Sequence, residues 1–502
     1  MRPTASFLAR LLFLVALGGC TRGPAPERLE QEVQARVDGL FGRTVLAVDS
    51  LRRQGSAPYR AADDGSSQII VYYNGTFQFT ETYDPSDWQG LSPTMLANAL
   101  GAADEGVTGL KAGPNEPGTV LRAYGSIVYR RAGQDWQPAD VIAPRPAAPA
   151  AAAVPQSRAD ELVRRLAELV QKAPARRGKD DEIIAEELSR ALDNIRLRTG
   201  ESQKAIQVAA GPEGGEYWRF LTSLVSRIGG TSAVAVAPSA GSVENAFLVD
   251  RGEARIGIVQ SDVAAAAVTG AGMFSGTGPL DHLRAVASLF PEPVHIVVRA
   301  DSGIENLADL AGGRLELGAV ASGTRQTALT LLASAGIDLK SISMGDAATP
   351  QAALDRLGKG DVDAVIEVVS APWRQLEIAM HSVPLRLVPL DLQTRIELGG
   401  AVHGLLPLTI PARTYPGQDE PVPTVAATAL MVAREDVPDA AVTKALDLMY
   451  ASAASGGAGV QAARLSKDRA LDAVTIPMHP AAARYFAKTA RTAPAQPPEP
   501  AP

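Results

Sequence analysis

The chain has 502 residues, of which 46% are hydrophobic and 21% are charged, and this balance excludes a chain that is disordered throughout. A formal net charge of −7 argues against a nucleic-acid partner, because nucleic-acid binding needs a basic face. The chain contains one cysteine, so an intrachain disulfide and a thiolate metal cluster are both excluded.

Residues 1–19 have the features of a secretory signal peptide. Basic residues precede a short apolar run, and small residues follow it. The segment Leu17-Gly18-Gly19-Cys20 resembles the bacterial lipobox, in which the cysteine is lipidated. We therefore predict a periplasmic lipoprotein with a lipid on Cys20. Its tether, residues 20–26, would anchor it to the inner or outer membrane of a Gram-negative bacterium.

Residues 27–140 have the pattern of a small α+β domain. Apolar residues at helical spacing predict a helix over residues 27–40. Residues 68–83 and 119–131 are rich in β-branched and aromatic residues, which predicts strands. Asn74-Gly75 interrupts the first of these runs and predicts a hairpin turn. A helix followed by curved antiparallel strands favours a cystatin-like or NTF2-like shape.

Three further segments are distinguished by composition. Residues 141–156 are dominated by alanine and proline, which predicts a semi-rigid linker. Residues 157–200 form a charged helical segment, for which a solvated spacer, a helical hairpin and a stalk are the alternatives. Residues 491–502 are rich in proline, which predicts a disordered tail.

Strands and helices alternate in residues 203–490, a pattern typical of a parallel sheet with crossover helices. Strands are predicted over residues 205–210, 233–237 and 255–259, and each is followed by a predicted helix. In such sheets, ligands bind beyond the carboxyl ends of the strands, where loops lead into helices.

Four loops at such positions are rich in glycine and in hydroxyl or amide side chains. They are Gly214-Gly215, Gly241-Ser242, Gln260-Ser261-Asp262 and Ser322-Gly323-Thr324. Each offers backbone N–H groups at a helix N-terminus, an arrangement that suits a carboxylate or another anion. Serine and threonine at these places are also common helix caps, so capping is the alternative role at each loop.

Several sequence motifs follow one another between about residue 204 and about residue 485. They are Gly241-Ser242-Val243-Glu244-Asn245, Val259-Gln260-Ser261-Asp262-Val263, the run at residues 288–297 and Thr414-Tyr415-Pro416-Gly417-Gln418-Asp419. Together they resemble the TAXI family, the solute-binding proteins of TRAP transporters. The segment from residue 300 to residue 324 resembles periplasmic binding proteins more widely.

The resemblance implies a two-lobed α/β periplasmic binding protein, type II-like, preceded by the small α+β domain. Lobe one would comprise residues 203–293 and 422–490, and lobe two residues 294–421. The chain would cross between the lobes near residues 292–298 and 421–424. The resemblance also implies a glutamate-like solute (glutamate, glutamine or another small carboxylate) that is delivered to a TRAP-type membrane permease. The ligand would favour the closed state by contacting both lobes.

The candidate ligand-binding residues are Gly215, Tyr217, Ser242, Asn245, Gln260, Ser261, Asp262, Ser322, Gly323, Thr324 and Trp373. We expect the lobe-one hydroxyl and amide groups to bind a ligand carboxylate or ammonium group, and Asp262 to pair with an amine. Segment Ser322-Gly323-Thr324 would bind a second anionic end. Tyr217 and Trp373 would form apolar walls. Ordinary packing is the alternative for both aromatics, and a helix N-terminal acid is the alternative for Asp262.

Two positions depart from the TAXI pattern. Glu216 stands where the family usually carries a small hydroxylated residue, and a carboxylate there would repel an anionic ligand or recruit a cation. Segment Ser370-Ala371-Pro372-Trp373 carries tryptophan where the family commonly has a smaller residue. An amine or a smaller solute is therefore the alternative ligand.

Signatures of catalysis are missing from the sequence. It contains no Gly-x-Ser-x-Gly elbow, no P-loop and no His-Glu-x-x-His, and its five histidines are dispersed. We therefore predict a protein that is not an enzyme and that uses no cofactor or metal. The alternative function is a ligand-sensing or scaffold lipoprotein that signals to a partner through residues 27–200 and feeds no permease.

Overall fold

The computed structural model describes most of the chain. The described residues are 24–59, 67–133, 135–139, 206–227, 234–345, 347, 349–401, 403–455 and 462–492. The predicted signal peptide, Cys20, the linker at 141–156 and the charged segment at 157–200 lie outside them. None of the helices within the described residues is long and apolar enough to cross a membrane.

The first described element is helix α1 (Pro26–Phe41), which ends at Gly42 in the left-handed conformation. Leu29, Val33 and Val37 repeat every four residues, so they lie on one face, and all three are fully buried. They pack against the aromatic side chains of a neighbouring sheet. The helix predicted over residues 27–40 is thereby confirmed.

That sheet is antiparallel, with strand order β1-β2-β4-β3 and with β5 paired to β4. Its strands are β1 (Leu46–Pro58), β2 (Gln68–Phe79), β3 (Ala102–Thr108), β4 (Val120–Ala132) and β5 (Asp135–Pro138), and helix α2 (Pro93–Ala99) precedes β3. One face of the sheet carries the core that α1 covers. Whether this unit is cystatin-like or NTF2-like stays a prediction.

The hairpin turn predicted at Asn74-Gly75 is wrong. Both residues lie inside β2, where Gly75 pairs with Leu51 of β1 and with Ala123 of β4. Glycine is required there by packing: a Cβ on Gly75 would lie 2.6 Å from the Phe77 ring. The glycine therefore marks the close approach of a side chain to a strand, a role that is common for glycine inside sheets.

The remaining strands form a second, mixed sheet that spans two lobes. In lobe one, β7-β6-β8 are parallel, as the alternating pattern predicted. The elements of this part are β6 (Ile206–Ala209), α3 (Glu216–Arg227), β7 (Val234–Ala237), α4 (Ser242–Asp250), β8 (Ile256–Gln260) and α5 (Ser261–Thr269). The loops after β6, β7 and β8 therefore meet at one edge of the sheet, which positions the site described below.

Lobe two repeats this arrangement with parallel strands β11-β10-β12. Its strands are β10 (Arg314–Glu316), β11 (Ser343–Met344), β12 (Ala364–Val368), β13 (Leu385–Leu387) and β14 (Leu406–Ile410). Its helices are α6 (Gly323–Ser334), α7 (Pro350–Lys359), α8 (Arg374–Met380) and α9 (Leu392–Ala401).

Two long antiparallel strands, β9 (Leu283–Arg299) and β15 (Val422–Arg434), join the lobes. Strand β9 pairs with β12 from Val294 onward, close to the predicted crossing. Strand β15 pairs with β14 up to Ala426 and reaches β8 only at Ala429. The second crossing therefore lies a few residues later than predicted, because β15 keeps its lobe-two partner beyond residue 424.

Helices α10 (Asp439–Ser455) and α11 (Pro480–Thr492) return to lobe one and cover its core. Helix α11 continues two residues into the segment predicted to be disordered from residue 491. Residues 493–502 lie outside the described residues.

The N-terminal domain (α1 to β5) lies against both lobes. Trp88 packs on Leu408 of lobe two and on Ala426 of β15. Its indole Nε1 donates a hydrogen bond to the carbonyl oxygen of Arg464, between α10 and α11, at 3.5 Å. Elsewhere on this surface, the amide of Ala112 donates to the carbonyl oxygen of Ala453 at 3.1 Å.

Candidate functional site

A cavity of about 280 Å³ lies between the two lobes, at the carboxyl ends of their parallel strands. The predicted residues that line it are Gly215, Tyr217, Ser242, Gln260, Ser322, Gly323 and Thr324. Its volume is just under the range of about 300–1,000 Å³ that is usual for ligand pockets, which suits a small solute.

A larger cavity of about 590 Å³ lies between the N-terminal domain and lobe two. It is lined by side chains of both signs, among them Glu32, Arg36, Arg413 and Asp419. It is away from the carboxyl ends of the parallel strands, so we take the smaller cleft as the candidate site.

The lobes are in direct contact around the cleft. The amide Nε2 of Gln260 donates to the carbonyl oxygen of Val368 at 3.4 Å. A Cβ on Gly323 would lie 1.7 Å from Gln260 Oε1, so the closed arrangement requires glycine at the start of α6. The structure is therefore that of the closed form.

Two candidate serines make local contacts at helix N-termini. Ser322 caps α6: its Oγ accepts from the Arg325 amide at 3.1 Å and donates to the carbonyl oxygen of Ala319 at 2.7 Å. Ser242 Oγ accepts from the amide of Gln260 at 3.1 Å. Capping, the alternative role, is thus realised at Ser322, although the residue also lines the cleft.

Asn245 does not line the described cavity. The side chain is fully buried behind the loop, where it donates to the carbonyl oxygen of Ile258 at 2.7 Å and accepts from Ser239 Oγ at 2.5 Å. Both ends of the amide are occupied, so Asn245 holds the loop after β7 against β8 and presents no group to a solute.

Ser261 and Asp262 also lie outside the cavity, because lobe closure uses both side chains. Ser261 Oγ donates to the carbonyl oxygen of Gly404 at 2.6 Å, and Asp262 accepts from Thr327 Oγ1 at 2.6 Å. Both partners belong to lobe two. Burial raises the pKa of Asp262 to about 6, and the Thr327 hydrogen bond partly opposes that rise. Ser261 and Asp262 therefore join the two lobes, and Asp262 Oδ1 has no described hydrogen-bond partner.

Trp373 is buried in lobe two and forms no wall of the described cavity. Its amide donates to the hydroxyl oxygen of Tyr415 at 2.7 Å, and its ring contacts His295. Burial lowers the pKa of His295 to about 4, so this cluster is neutral at pH 7. Ordinary packing, the alternative given for Trp373, is what the structure shows.

The cleft is acidic, a property that only Glu216 had indicated in the sequence. Four carboxylates line it: Glu216, Glu292, Glu316 and Glu367. Two of them have cationic partners of the chain itself. Arg356 lies 2.5 Å from Glu316, and the buried Arg464 lies 3.8 Å from Glu216.

The other two carboxylates accept hydrogen bonds only from hydroxyl groups among their described side-chain neighbours. Tyr217 donates to Glu292 Oε2 at 2.5 Å, and Thr324 donates to Glu367 Oε1 at 2.7 Å. Burial raises the pKa of Glu367 to about 7. Burial, followed by repulsion from Glu216, holds the pKa of Glu292 well above its usual range.

Glu292, Glu316 and Glu367 were missed because strand patterning masks them. Glu292 lies at the crossing between the lobes, inside a long and largely apolar strand, and Glu367 lies inside the buried strand β12. A charged residue within a buried apolar run is rare without a partner, and this was the available signal. The described residues contain no group of three or more His, Cys, Asp or Glu side chains placed to hold a metal.

Solved structures of binding proteins share part of this fold at low similarity. A periplasmic aliphatic sulphonate binding protein from Escherichia coli is 15% identical, with a TM-score of 0.34 over 57% of this chain and 78% of its own. An arginine-, lysine- and histidine-binding protein from Geobacillus stearothermophilus is 14% identical, with a TM-score of 0.31 over 50% of this chain and 90% of its own.

The sequence itself matches a known family over most of the two-lobed region. Residues 208–488 match the pattern of the NMT1-like family. This segment begins in β6, ends within α11 and includes every residue that lines the cleft. The chain belongs to the NMT1-like family.

Proposed function

We propose that the protein is an extracytoplasmic solute-binding receptor that captures a small solute between its lobes. The observation that carries this function is the cleft itself. Side chains from both lobes converge on one cavity, and in the part of the chain that the structure describes, strands β9 and β15 carry the main chain between the lobes. A ligand that bridges both lobes stabilises the closed form, and this is the basis of capture.

The finer features of this function rest on the sequence motifs. The lipobox-like segment at Cys20 supports a lipid anchor on the periplasmic side of a membrane. The TAXI-like motifs support delivery of the solute to a TRAP-type permease. The resemblance favours a glutamate-like carboxylate as the solute, and the acidic lining of the cleft disfavours a dianion.

The test is ligand binding by the purified full chain. Thermal unfolding is measured with amino acids, dicarboxylates, amines and neutral solutes at 10 mM, and any hit is followed by calorimetry. A solute that binds only the folded state raises the midpoint with its concentration. Failure of every class to bind would refute the receptor function.

A substitution at the point of lobe contact tests whether binding requires closure. Gly323→Val places a side chain against Gln260 Oε1 and blocks the closed form, so we expect affinity to fall about tenfold or more. Gly276→Val is the matched control, because a Cβ at Gly276 meets nothing within 4 Å. Equal affinities for the two variants would show that the solute does not bind between the closing lobes.

A second candidate function, ligand sensing through the N-terminal domain, is favoured by one observation. The backbone of Arg464 accepts the Trp88 hydrogen bond of the N-terminal domain, while its guanidinium group faces Glu216 in the cleft. The domain therefore contacts a residue that also borders the cleft. Membrane fractionation separates the two functions, because delivery to a permease requires the inner membrane and an outer-membrane location favours sensing.

A further inference from the structure

The charged side chains that line the cleft are all of one sign. Among the described lining residues, four are carboxylates and none is cationic. Because the cavity is enclosed by two protein lobes, water screens these charges less than it would at an open surface. A ligand placed there is therefore selected by its charge.

Ion pairs within the chain account for half of this negative charge. Arg356 neutralises Glu316 at 2.5 Å, and the amide of Ala347 donates to the same carboxylate at 3.1 Å. Arg464 lies 3.8 Å from Glu216. Glu292 and Glu367 form no ion pair with any described residue. One stands at the crossing between the lobes and the other on lobe two, so they reach the cavity from different parts of its wall.

A second observation, independent of the charges, is that a buried acceptor in the cleft has no hydrogen-bond donor. Gln260 lines the cleft, is 3% exposed, and its Oε1 accepts no hydrogen bond among the described groups. Glu216 Oε1 is likewise buried without a hydrogen-bond donor, since Arg464 is too distant to provide one. Buried acceptors without donors are rare in folded proteins, because each loses its bonds to water. Two buried acceptor atoms of cleft-lining residues are therefore without a described hydrogen-bond donor.

We propose that the cleft binds a small organic cation, a solute with an ammonium or guanidinium group held between Glu292 and Glu367, with Gln260 Oε1 as a further acceptor. This inference rests on the proposed receptor function and names its substrate class. Such a group brings positive charge and several N–H donors to a cavity whose described lining residues include no cationic side chain. A dicarboxylate would instead add acceptors and negative charge to the same wall.

The experiment compares solutes of matched length and opposite charge on the full chain. Cadaverine, putrescine, agmatine and choline are titrated by calorimetry beside glutarate and succinate at pH 8. We expect at least one cation to bind and the anions not to bind at 10 mM. Binding of an anion alone would overturn the organic cation while the receptor function stands. Binding of none of these solutes would overturn the organic cation, and the receptor function would fall only if the wider panel of amino acids, dicarboxylates, amines and neutral solutes also fails to bind.

Charge-neutral variants then locate the bound cation. Glu367→Gln and Glu292→Gln keep the size of the side chain and an acceptor for the Thr324 or Tyr217 hydroxyl group. We expect each substitution to weaken binding of the cation about tenfold or more. Glu253→Gln, at an exposed position on lobe one, is the control and should bind within about twofold of the wild type.

Loss of folding is excluded by a second measurement on the same proteins. The two cleft variants should keep the circular dichroism spectrum and a cooperative unfolding transition. Glu367→Asp retains the charge and should restore part of the affinity that Glu367→Gln loses. Cation affinity that is unchanged in folded Glu367→Gln and Glu292→Gln would overturn the assignment.

Discussion

The two-lobed region has two contact surfaces: the cleft between its lobes, and the surface against the N-terminal domain, which we call the docking surface. They differ in how their polar groups are paired. On the docking surface, Asn98 donates to both carboxylate oxygens of Glu377, at 3.2 and 3.1 Å. Arg413 donates to the carbonyl oxygen of Gly39 at 3.2 Å. In the cleft, by contrast, the buried Gln260 Oε1 has no described donor.

This difference distinguishes a permanent interface from a binding site. Burial of polar groups is tolerated where each finds a partner, and it is unfavourable where one does not. The Asn98 and Arg413 contacts of the docking surface are made within the chain. The cleft is complete only with a ligand. Substitutions on the two surfaces should therefore behave differently, and four of them test this contrast.

The largest effect is expected at Arg464, which belongs to both surfaces. Its guanidinium group is buried beside Glu216 and stacks on Phe290, and its backbone accepts from Trp88. Arg464→Met leaves Glu216 buried without its cation. We expect the free energy of unfolding to fall by about 3–5 kcal/mol in urea titrations at pH 7.

A double variant separates charge from packing at this position. If the loss reflects the stranded carboxylate, Arg464→Met combined with Glu216→Gln should recover at least about 1 kcal/mol of it. Lys340→Met, at an exposed position on lobe two, is the control and should leave stability within about 0.5 kcal/mol of the wild type. Additive losses in the double variant would contradict an electrostatic role.

Trp88→Ala tests whether the docking surface opens as one unit. Trp88 is 8% exposed and packs on Leu408 and Ala426, so its removal should lower the free energy of unfolding by about 3 kcal/mol. The amide of Ala112, which donates to Ala453 elsewhere on the same surface, should exchange with solvent about tenfold faster. Trp136→Ala, in the N-terminal sheet, is the control. Unchanged exchange at Ala112 in Trp88→Ala would mean that the contacts are independent.

The sequence predicted the scaffold of this comparison better than the chemistry of the cleft. Helix α1 and the alternating elements of lobe one follow local periodicity, so their bounds were close. The hairpin turn predicted at Asn74-Gly75 is wrong because the close approach of the Phe77 ring determines the role of that glycine. Asn245 and Trp373 were predicted to bind the solute but do not line the cavity. The sequence gives the order of residues along a loop, but it does not show which side chains face the cavity. Glu292 and Glu367 were missed because each lies inside a strand whose apolar pattern masks a single charged residue.

The third substitution, Glu367→Gln, should stabilise the unliganded protein at neutral and basic pH. Burial raises the pKa of Glu367 from 4.5 to about 7, so the folded state holds a proton that the unfolded chain has released. Stability is therefore lost as pH rises from about 4.5 to about 7 and stays lower above it. A glutamine cannot ionise, and we expect the variant to exceed the wild type by about 2–3 kcal/mol at pH 8.

This difference is measured as the free energy of unfolding of the variant minus that of the wild type, from pH 5 to pH 8. The pKa of Asp262 is raised to about 6 and that of His295 is lowered to about 4, and both groups are present in both proteins, so their contributions cancel. Glu253→Gln, at an exposed position on lobe one, is the control. A flat difference for Glu367→Gln would place the pKa of this carboxyl at its ordinary value and contradict its burial as an uncompensated charge.

The smallest effect is expected at Asn98, on the docking surface. Asn98→Ala removes the two hydrogen bonds to Glu377, and because both side chains are only partly buried, water replaces much of what is lost. We expect a decrease of about 1 kcal/mol in the free energy of unfolding. Asn98→Asp keeps the shape but places a second carboxylate against Glu377, so its decrease should be larger and should shrink when salt screens the repulsion. A decrease that is equal for the two variants and independent of salt would show that Glu377 carries no charge at this contact. The contrast between the two surfaces would then lose the charge-assisted contact on which the docking surface side of it rests.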